Sequence, residues 1–405
     1  MRRYNMGRLY SGNNPSQLYM DSMLDLINFG KEHSPRGKRT TELRPVIFEY
    51  EDPRNRVTFL RGRVINPFFQ LAEALWILAG RSDVKWLSQY NSSIAQFSDD
   101  GEYFNAPYGE RLRSWGKNDA RGFIFNPIDQ LYDCYMKLKE DPDTRQAVAF
   151  IGDPRFDSYE YTNVQKGKDI ACNLNIKFKI RDGKLEINVD NRSNDLHWGT
   201  FGANLAQFAT IQEAMASWLG VGIGTYCQVT DSLHMYLDDY GYKETDKILK
   251  AYDHDGIWMP SMSTPIVEQY TFIDEPRISS TLEEWHDIVN SYFRELDQLV
   301  SADETYLMPQ AARGIMHIVS HIQDKYLQLT LYSMIAYQAH KRNQAEIMLL
   351  ALSHMPDCSW KVSCLRFLSK RYLTSEEHSN HTESFRSQYK HLSSDIIDYI
   401  ERKGE

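Results

Sequence analysis

The 405-residue chain is sparing with cysteine and holds no two cysteines at C-x-x-C spacing. Cys134, Cys172, Cys227, Cys358 and Cys364 are odd in number and spread along the sequence, which argues against a disulfide scaffold, a zinc site or a redox couple. Each thiol therefore has to be judged singly. Cationic excess is lacking too: 46 Lys and Arg face 55 Asp and Glu, for a formal charge of -9 and a pI near 5.8. A protein that coats polynucleotide phosphate needs a basic face, so that class is set aside, although a local cluster of arginines still suits one small phosphate. There is no run of about 18 uninterrupted apolar residues, and the opening MRRYNMGRLYSGNNPSQ has neither the apolar segment nor the small-residue cleavage site of a signal peptide. A soluble, cytoplasmic protein with no membrane partner is the expectation. Internal repeats, low-complexity tracts and long Gly/Ser/Pro linkers are absent as well, so divisions within the chain rest on changes of periodicity.

What is present is enough for a sizeable core: 42% of residues are apolar and 13% aromatic, which excludes a disordered or fibrous chain. Residues 1–275 mix helix and strand, and from 276 to 405 the pattern is helical, with apolar and aromatic stripes between charged residues. Asn66 to Gly80, NPFFQLAEALWILAG, carries a cap, a proline in the first turn and a terminal glycine, which predicts a mostly buried helix. A tyrosine- and glycine-rich loop follows from Asp99 to Trp115, and a second helix is expected near Pro127 to Lys139. Leu174, Ile176, Phe178 and Ile180 alternate up to Asp182-Gly183, after which Leu185, Ile187 and Val189 alternate again, a hairpin pattern with a D-G turn. Cys172 shares the parity of that apolar face. Leu205, Phe208, Ile211, Met215 and Trp218 have core-helix spacing, which places Asn204 at a helix start.

Several polar residues stand out against this frame. A cysteine opening a half-buried strand is commonly an inert small apolar group, but Cys172 has Arg192, Ser193 and Arg145 as candidates to lower its pKa or bind an anion. Ordinary solvated charge is the plain alternative for each arginine. Glu73 sits among almost wholly apolar neighbours, where a carboxylate is costly unless paired or used. His234 and Tyr236, two apart, would point to one face of a strand and reach a sugar hydroxyl; a lone His/Tyr pair is otherwise structural.

Read in order, Glu73 in a helix ending W-x-L-x-G, Tyr108-Gly109 followed by Arg113, Pro142-Asp143-Thr144-Arg145, Cys172, Arg192-Ser193-x-Asp195, Asn204 and His234-x-Tyr236 resemble the thymidylate synthase superfamily over about residues 30 to 240. The resemblance implies a mixed α/β core around a large, mainly antiparallel sheet, paired as a homodimer through the sheet face. It implies that Cys172 adds to C6 of a pyrimidine nucleotide and makes C5 able to attack a one-carbon unit. Arg192, Ser193, Arg145 and Arg36 would hold the phosphate, with the Arg145 region reaching across the dimer interface. Glu73 would organise water for proton transfers, and Tyr108 would help remove the C5 proton. His234 and Tyr236 would bind the sugar hydroxyl, Asp195 the pterin of 5,10-methylenetetrahydrofolate, and Asn204 the O4 and N3 edge of uracil.

The departures from the family pattern bear on the product. Asn173 stands where a histidine normally follows the nucleophile. IAQFSDDG, with Phe97 its single aromatic, replaces a tryptophan-bearing segment, and the short apolar tail is replaced by the helical extension. WGTFGAN also contains an apparent one-residue insertion. These changes touch the parts that keep water from the methylene intermediate, and its hydration gives a hydroxymethyl group. The sequence is therefore read as similar to the phage-type nucleotide hydroxymethylases, acting on dUMP by virtue of Asn204, in the host cytoplasm if viral. A reductive thymidylate synthase, a dCMP or CMP hydroxymethylase, and a non-catalytic nucleotide-binding protein on the same fold stand as alternatives.

Overall fold

The structure is a computed structural model that describes residues 7–118, 123–159, 168–253, 265, 267, 269–270, 272, 275–301 and 309–402. The chain divides into two compact units. The first comprises Met1–Arg63, Trp76–Asp83 and Gln96–Gln269; the second comprises Val64–Leu75, Val84–Ala95 and Tyr270–Glu405. The helical unit thus recruits two earlier segments, which a single cut after residue 275 does not separate.

The first unit is built on strands β1 (Arg8–Gly12), β2 (Lys31–His33), β3 (Thr40–Leu43), β4 (Val46–Tyr50), β5 (Trp115–Asn118), β6 (Phe123–Ile128), β7 (Val148–Phe150), β8 (Asn173–Arg181), β9 (Lys184–Asn191), β10 (Asn194–Asp195), β11 (Gly222–Thr230) and β12 (Leu233–Tyr236). Six form one sheet in the order β1-β4-β11-β9-β8-β7; four form another in the order β10-β12-β3-β2. Both sheets are mixed, and antiparallel pairings outnumber parallel ones among the described residues. The β8–β9 hairpin turns at Asp182 and Gly183, both at positive φ (50° and 71°), the geometry that makes a D-G pair suitable for a tight hairpin.

Alternation decides which sheet face is covered. Ile176, Phe178, Ile180, Leu185, Ile187, Val189 and Tyr226 are buried, and Phe208 of the helix Leu205–Leu219 meets the ring of Tyr226. On that face the buried Gln212 amide donates to the carbonyls of Leu185 and Gly224, where the β9–β11 register slips. The helix ends at Gly220 (φ 68°), where the Gly220 and Val221 amides bond back to Ser217 and Ala216, closing the last carbonyls as a Schellman turn does. The opposite sheet face, with Leu9, Cys227, Asn188, Asp190 and Lys177, is only partly buried.

Two expected boundaries shift. Pro127 lies in β6, and the second helix starts at Gln130, capped by Asp129. Asn204 is not at a helix start: it closes a π-helical stretch, Leu196–Asn204, that runs directly into the helix Leu205–Leu219. Wider π turns accommodate extra residues without breaking the helix, as an insertion in WGTFGAN would require.

In the second unit, helices Leu282–Ser301, Pro309–Ser320, Lys325–Lys341, Ala345–Ser353, Ser359–Thr374, Thr382–Arg386 and Ser394–Glu401 follow one another, as the periodicity after residue 276 predicts. An aromatic core joins Phe68, Tyr90, Tyr337 and Phe367, with Phe68 stacked on Tyr337 at 4.9 Å. Asp324 caps the helix Lys325–Lys341 through one oxygen and accepts from Ser279 and Ser280 through the other. Asn66 caps Pro67–Leu78 by accepting from the Phe69 amide at 3.1 Å. No helix among the described residues is long and apolar enough to cross a membrane.

Candidate active site

Cys172 sits in a bend immediately before β8, half-buried. Its parity with the apolar face does not hold, because the β8–β9 register shifts between Asn173 and Asn175. A bulge re-aims the side chains on its far side, and here it frees the thiol from the core face. Arg192 closes over the same bend: its amide donates to the Cys172 carbonyl at 3.0 Å, Nε to Ala171 at 2.8 Å and Nη2 to Ile170 at 3.0 Å. Nη2 also lies 3.6 Å from Sγ of Cys172. Burial pushes the thiol above its ordinary pKa, Arg192 and Arg36 pull it down, and Asp169 and Asp195 oppose them. The cations are thus the part of the site that favours thiolate.

Tyr108 opens the short helix Tyr108–Arg113, and its Oη accepts from Asn173 Nδ2 at 2.9 Å and from the Asn173 amide at 3.4 Å. Burial raises its hydroxyl pKa, and the neighbouring Cys172 adds to the rise. Asn173, next to Cys172 in the chain, therefore clamps the phenol of Tyr108. Behind it, Asn173, Asn191 and Thr230 occupy one row across β8, β9 and β11. All three are buried, and Asn173 Oδ1, both Asn191 amide atoms and Thr230 Oγ1 have no hydrogen-bond partner in the protein. Such a lining is matched to water rather than to hydrocarbon.

Pairing of β10 with β12 puts Asp195 beside His234. His234 and Tyr236 share a half-buried face as the two-residue spacing requires, with ring centroids 5.5 Å apart and planes at 85°. Ser193 Oγ is 3.5 Å from His234 Nδ1. Arg36 stands on the exposed turn Pro35–Gly37 at φ 53°, an uncommon conformation for a side-chain-bearing residue, and its charge acts on both Cys172 and Tyr236. Asn204, 5% exposed, accepts from Asn194 Nδ2 at 2.9 Å and donates to Gln207 Oε1 at 3.0 Å. One amide hydrogen and one lone pair remain on its side chain.

Cys172, Tyr108, Arg192, Ser193, Asp195, His234, Tyr236 and Arg36 thus come together in the first unit. Arg145 does not join them: it is exposed on the turn ahead of β7. Glu73 is half-buried on Pro67–Leu78, in the segment assigned to the second unit.

Sequence reasoning missed the residues that hold Asp195. Its Oδ1 accepts from the Trp198 amide and from Tyr240 Oη, both at 2.5 Å, while Oδ2 is buried without a partner. Tyr240 belongs to the helix Asp239–Tyr252, which is tied to the π stretch through His197. Thr245 Oγ1 donates to the Gly241 carbonyl at 2.9 Å, so it accepts from His197 Nε2 at 2.9 Å, and Nδ1 in turn accepts from Tyr19 Oη at 2.6 Å. Burial, helped by Arg63, lowers the His197 pKa to about 3 and keeps it neutral. Arg63 pairs with Glu244 at 2.6 Å and donates to the His197 carbonyl at 3.1 Å. A buried His two residues after Asp195 was the available signal; its meaning depends on partners at positions 19 and 245.

A cysteine flanked by arginine and a buried tyrosine, opposite a His/Tyr-bearing strand and an aspartate on a helix start, defines a nucleotide-modifying site of one kind. The thymidylate synthase family model matches residues 17–265, and the chain belongs to the thymidylate synthase family. Transferases of this family use a folate cofactor in general. Among its relatives, the deoxyuridylate hydroxymethyltransferase of Bacillus phage SP01 is 52% identical over 366 residues, 90% of this chain and 94% of that protein. The enzyme of the same description from Pseudomonas phage M6 is 35% identical over 62% of this chain and 67% of its own length. That from Delftia phage PhiW-14 is 33% identical over 51% and 56%. The chain is a one-carbon transferase of this family.

Proposed function

We propose that the chain converts dUMP to 5-hydroxymethyl-dUMP with 5,10-methylenetetrahydrofolate, through an adduct of Cys172 to C6. The observation that carries the mechanism is the placement of Arg192 Nη2 at 3.6 Å from Sγ beside a Tyr108 hydroxyl clamped by Asn173. Addition of the thiolate to C6 moves the electron pair of the 5,6 double bond onto C5 and the O4 enolate. C5 would then bond to the one-carbon unit and lose its proton, for which Tyr108 is the placed group, and the bond from that carbon to the folate nitrogen would break with tetrahydrofolate as the leaving group, leaving an exocyclic methylene on C5. Water adds to the resulting methylene carbon, and its hydroxyl stays in the product as the thiolate leaves. The polar row Asn173, Asn191 and Thr230 supports the hydrated outcome, since it offers buried hydrogen-bonding atoms rather than an apolar seal.

The site fits a folate. The buried Oδ2 of Asp195 is an acceptor in want of a donor, and a pterin edge offers N–H groups. When bound, the folate supplies a one-carbon unit at the oxidation level of formaldehyde. Arg192, Ser193 and Arg36 hold the phosphate, His234 and Tyr236 the sugar hydroxyl, and Asn204 the base edge. Glu73 is assigned the ordering of water for proton transfer. A homodimer through the partly exposed sheet face brings the partner copy's Arg145 to the phosphate. In support, Arg145 is exposed at the edge of that sheet, and Leu9 and Phe150 are 62% and 57% exposed on it. Residues 1–275 are the catalytic domain in this reading, and 276–405 its helical extension. The host cytoplasm, where the nucleotide and the folate are found, is its place of action.

Incubation with dUMP, and in parallel dCMP and CMP, with methylenetetrahydrofolate tests the reading by product mass and 340 nm absorbance. A hydroxymethyl gain on dUMP without dihydrofolate formation is expected. A methyl gain with rising absorbance would make the chain a reductive synthase instead. Asn204→Asp should move preference toward dCMP by about 10²-fold or more, because an acceptor-only carboxylate has no N–H to give uracil O4 and accepts instead from the N4 amino group of cytosine. An unchanged preference would remove Asn204 from base reading.

A further inference from the structure

We infer that Tyr240 is a positioning residue for the folate side of the site: its hydroxyl fixes Asp195 so that Oδ2 alone is presented to the pterin. This rests on the reading that Asp195 contacts a bound folate. Oδ1 is already committed to two donors, the Trp198 amide and Tyr240 Oη. The amide bond by itself is an ordinary helix-start cap and leaves the carboxylate free to turn about its last torsion. A second donor from a different element removes that freedom, because turning would then break both bonds.

The helix that carries Tyr240 is held to the same π stretch at two further places. Thr245 accepts from His197, and Glu244 pairs with Arg63, which donates to the His197 carbonyl. Tyr240 therefore reaches Asp195 from a fixed base, not from a loose loop. Tyr240 is 37% exposed, and its ring lies 6.2 Å from Tyr236 and 6.4 Å, edge to face, from His197. An accessible aromatic face beside an orphaned carboxylate oxygen suits a planar heterocycle that donates N–H and stacks.

The test uses the full chain with dUMP and tetrahydrofolate, which has the pterin but no transferable carbon, followed by titration calorimetry. Tyr240→Phe keeps the ring and removes the hydroxyl. It should bind dUMP as wild type does, bind tetrahydrofolate about tenfold or more weakly in the presence of dUMP, and raise KM for methylenetetrahydrofolate by a similar factor with kcat little changed. In an Asp195→Asn background the same substitution should add almost nothing, since the bond it removes no longer fixes a carboxylate. Unchanged tetrahydrofolate affinity overturns the inference, as do equal losses of dUMP affinity and thermal stability, which mark a merely structural bond. If wild type binds dUMP but not tetrahydrofolate, the folate reading itself fails.

Discussion

The neighbourhood of Cys172 and that of Cys358 and Cys364 in the helical unit start from the same physics and end differently. In both, burial raises the thiol pKa. Cys364 is fully buried and has the Cys358 thiol as a further unfavourable neighbour. Cys172 instead has a guanidinium at 3.6 Å, a second arginine within electrostatic reach and a place in a bend where it is only half-buried. Burial alone makes a cysteine inert; Cys172 differs in having cations that oppose that burial, which is what the proposed nucleophile requires.

The strongest way to break that contrast is substitution. Cys172→Ala should abolish turnover by about 10⁴-fold or more, the scale of losing a covalent nucleophile. Cys358→Ala and Cys364→Ala should keep turnover and lower unfolding free energy by about 1–3 kcal/mol each through lost packing. Turnover surviving in Cys172→Ala, or vanishing in Cys364→Ala at a temperature where the protein is folded, would reverse the assignment. Next in size, Arg192→Ala should slow alkylation of Cys172 by about tenfold and cut kcat/KM by about 10²-fold, because the thiolate loses its nearest cation and the phosphate one contact. Alkylation at the wild-type rate would mean that Arg192 serves the phosphate only.

Much of this contrast is legible in the sequence, and the parts that are not have identifiable causes. The D-G turn, the cap at Asn66 and the two-residue spacing of His234 and Tyr236 are local chemistry, and the structure places them as their patterns require. Cys172 is singled out by its order among other polar landmarks. Its exposure is not: strand parity points it at the core, and a register shift with no marker of its own reverses this. The π stretch is foreshadowed by one extra residue, but the sequence does not say whether it loops out or widens the helix. Tyr240 and His197 escape notice because their partners lie 45 and 178 residues away, at Asp195 and Tyr19.

A pH scan sharpens the comparison between the two units. His197 has its folded pKa near 3, below the unfolded value of about 6.5. As pH falls below about 6.5 the unfolded chain takes up a proton that the folded chain refuses, so folding stability drops with falling pH by up to about 1.4 kcal/mol per pH unit from this site, until about pH 3. His340 in the helical unit, lowered to about 4 by burial and Arg371, acts in the same direction over a narrower window. Denaturant titrations between pH 7 and 5 should show a shallower acid slope for His197→Gln than for wild type, together with a lower stability at pH 7 from the broken bonds to Tyr19 and Thr245. An unchanged slope would mean that His197 takes up its proton in the folded protein.

The smallest effect concerns Cys227, a thiol of intermediate character. It lies on β11 between Tyr226 and Gln228, which are buried against the helix side, so it points to the opposite face of the sheet. There it is half-buried, raised by burial and Glu49 and lowered by Lys177. If that face pairs two copies, Cys227 is covered in the dimer and open in the monomer. Its alkylation should then speed up by a few-fold on dilution through the dissociation range, with sedimentation showing the loss of a species of about twice 47.3 kDa. Activity should fall over the same range if the partner's Arg145 completes the phosphate site. Concentration-independent alkylation with a monomeric mass would leave Arg145 as an ordinary surface charge and the phosphate to Arg192, Ser193 and Arg36 alone.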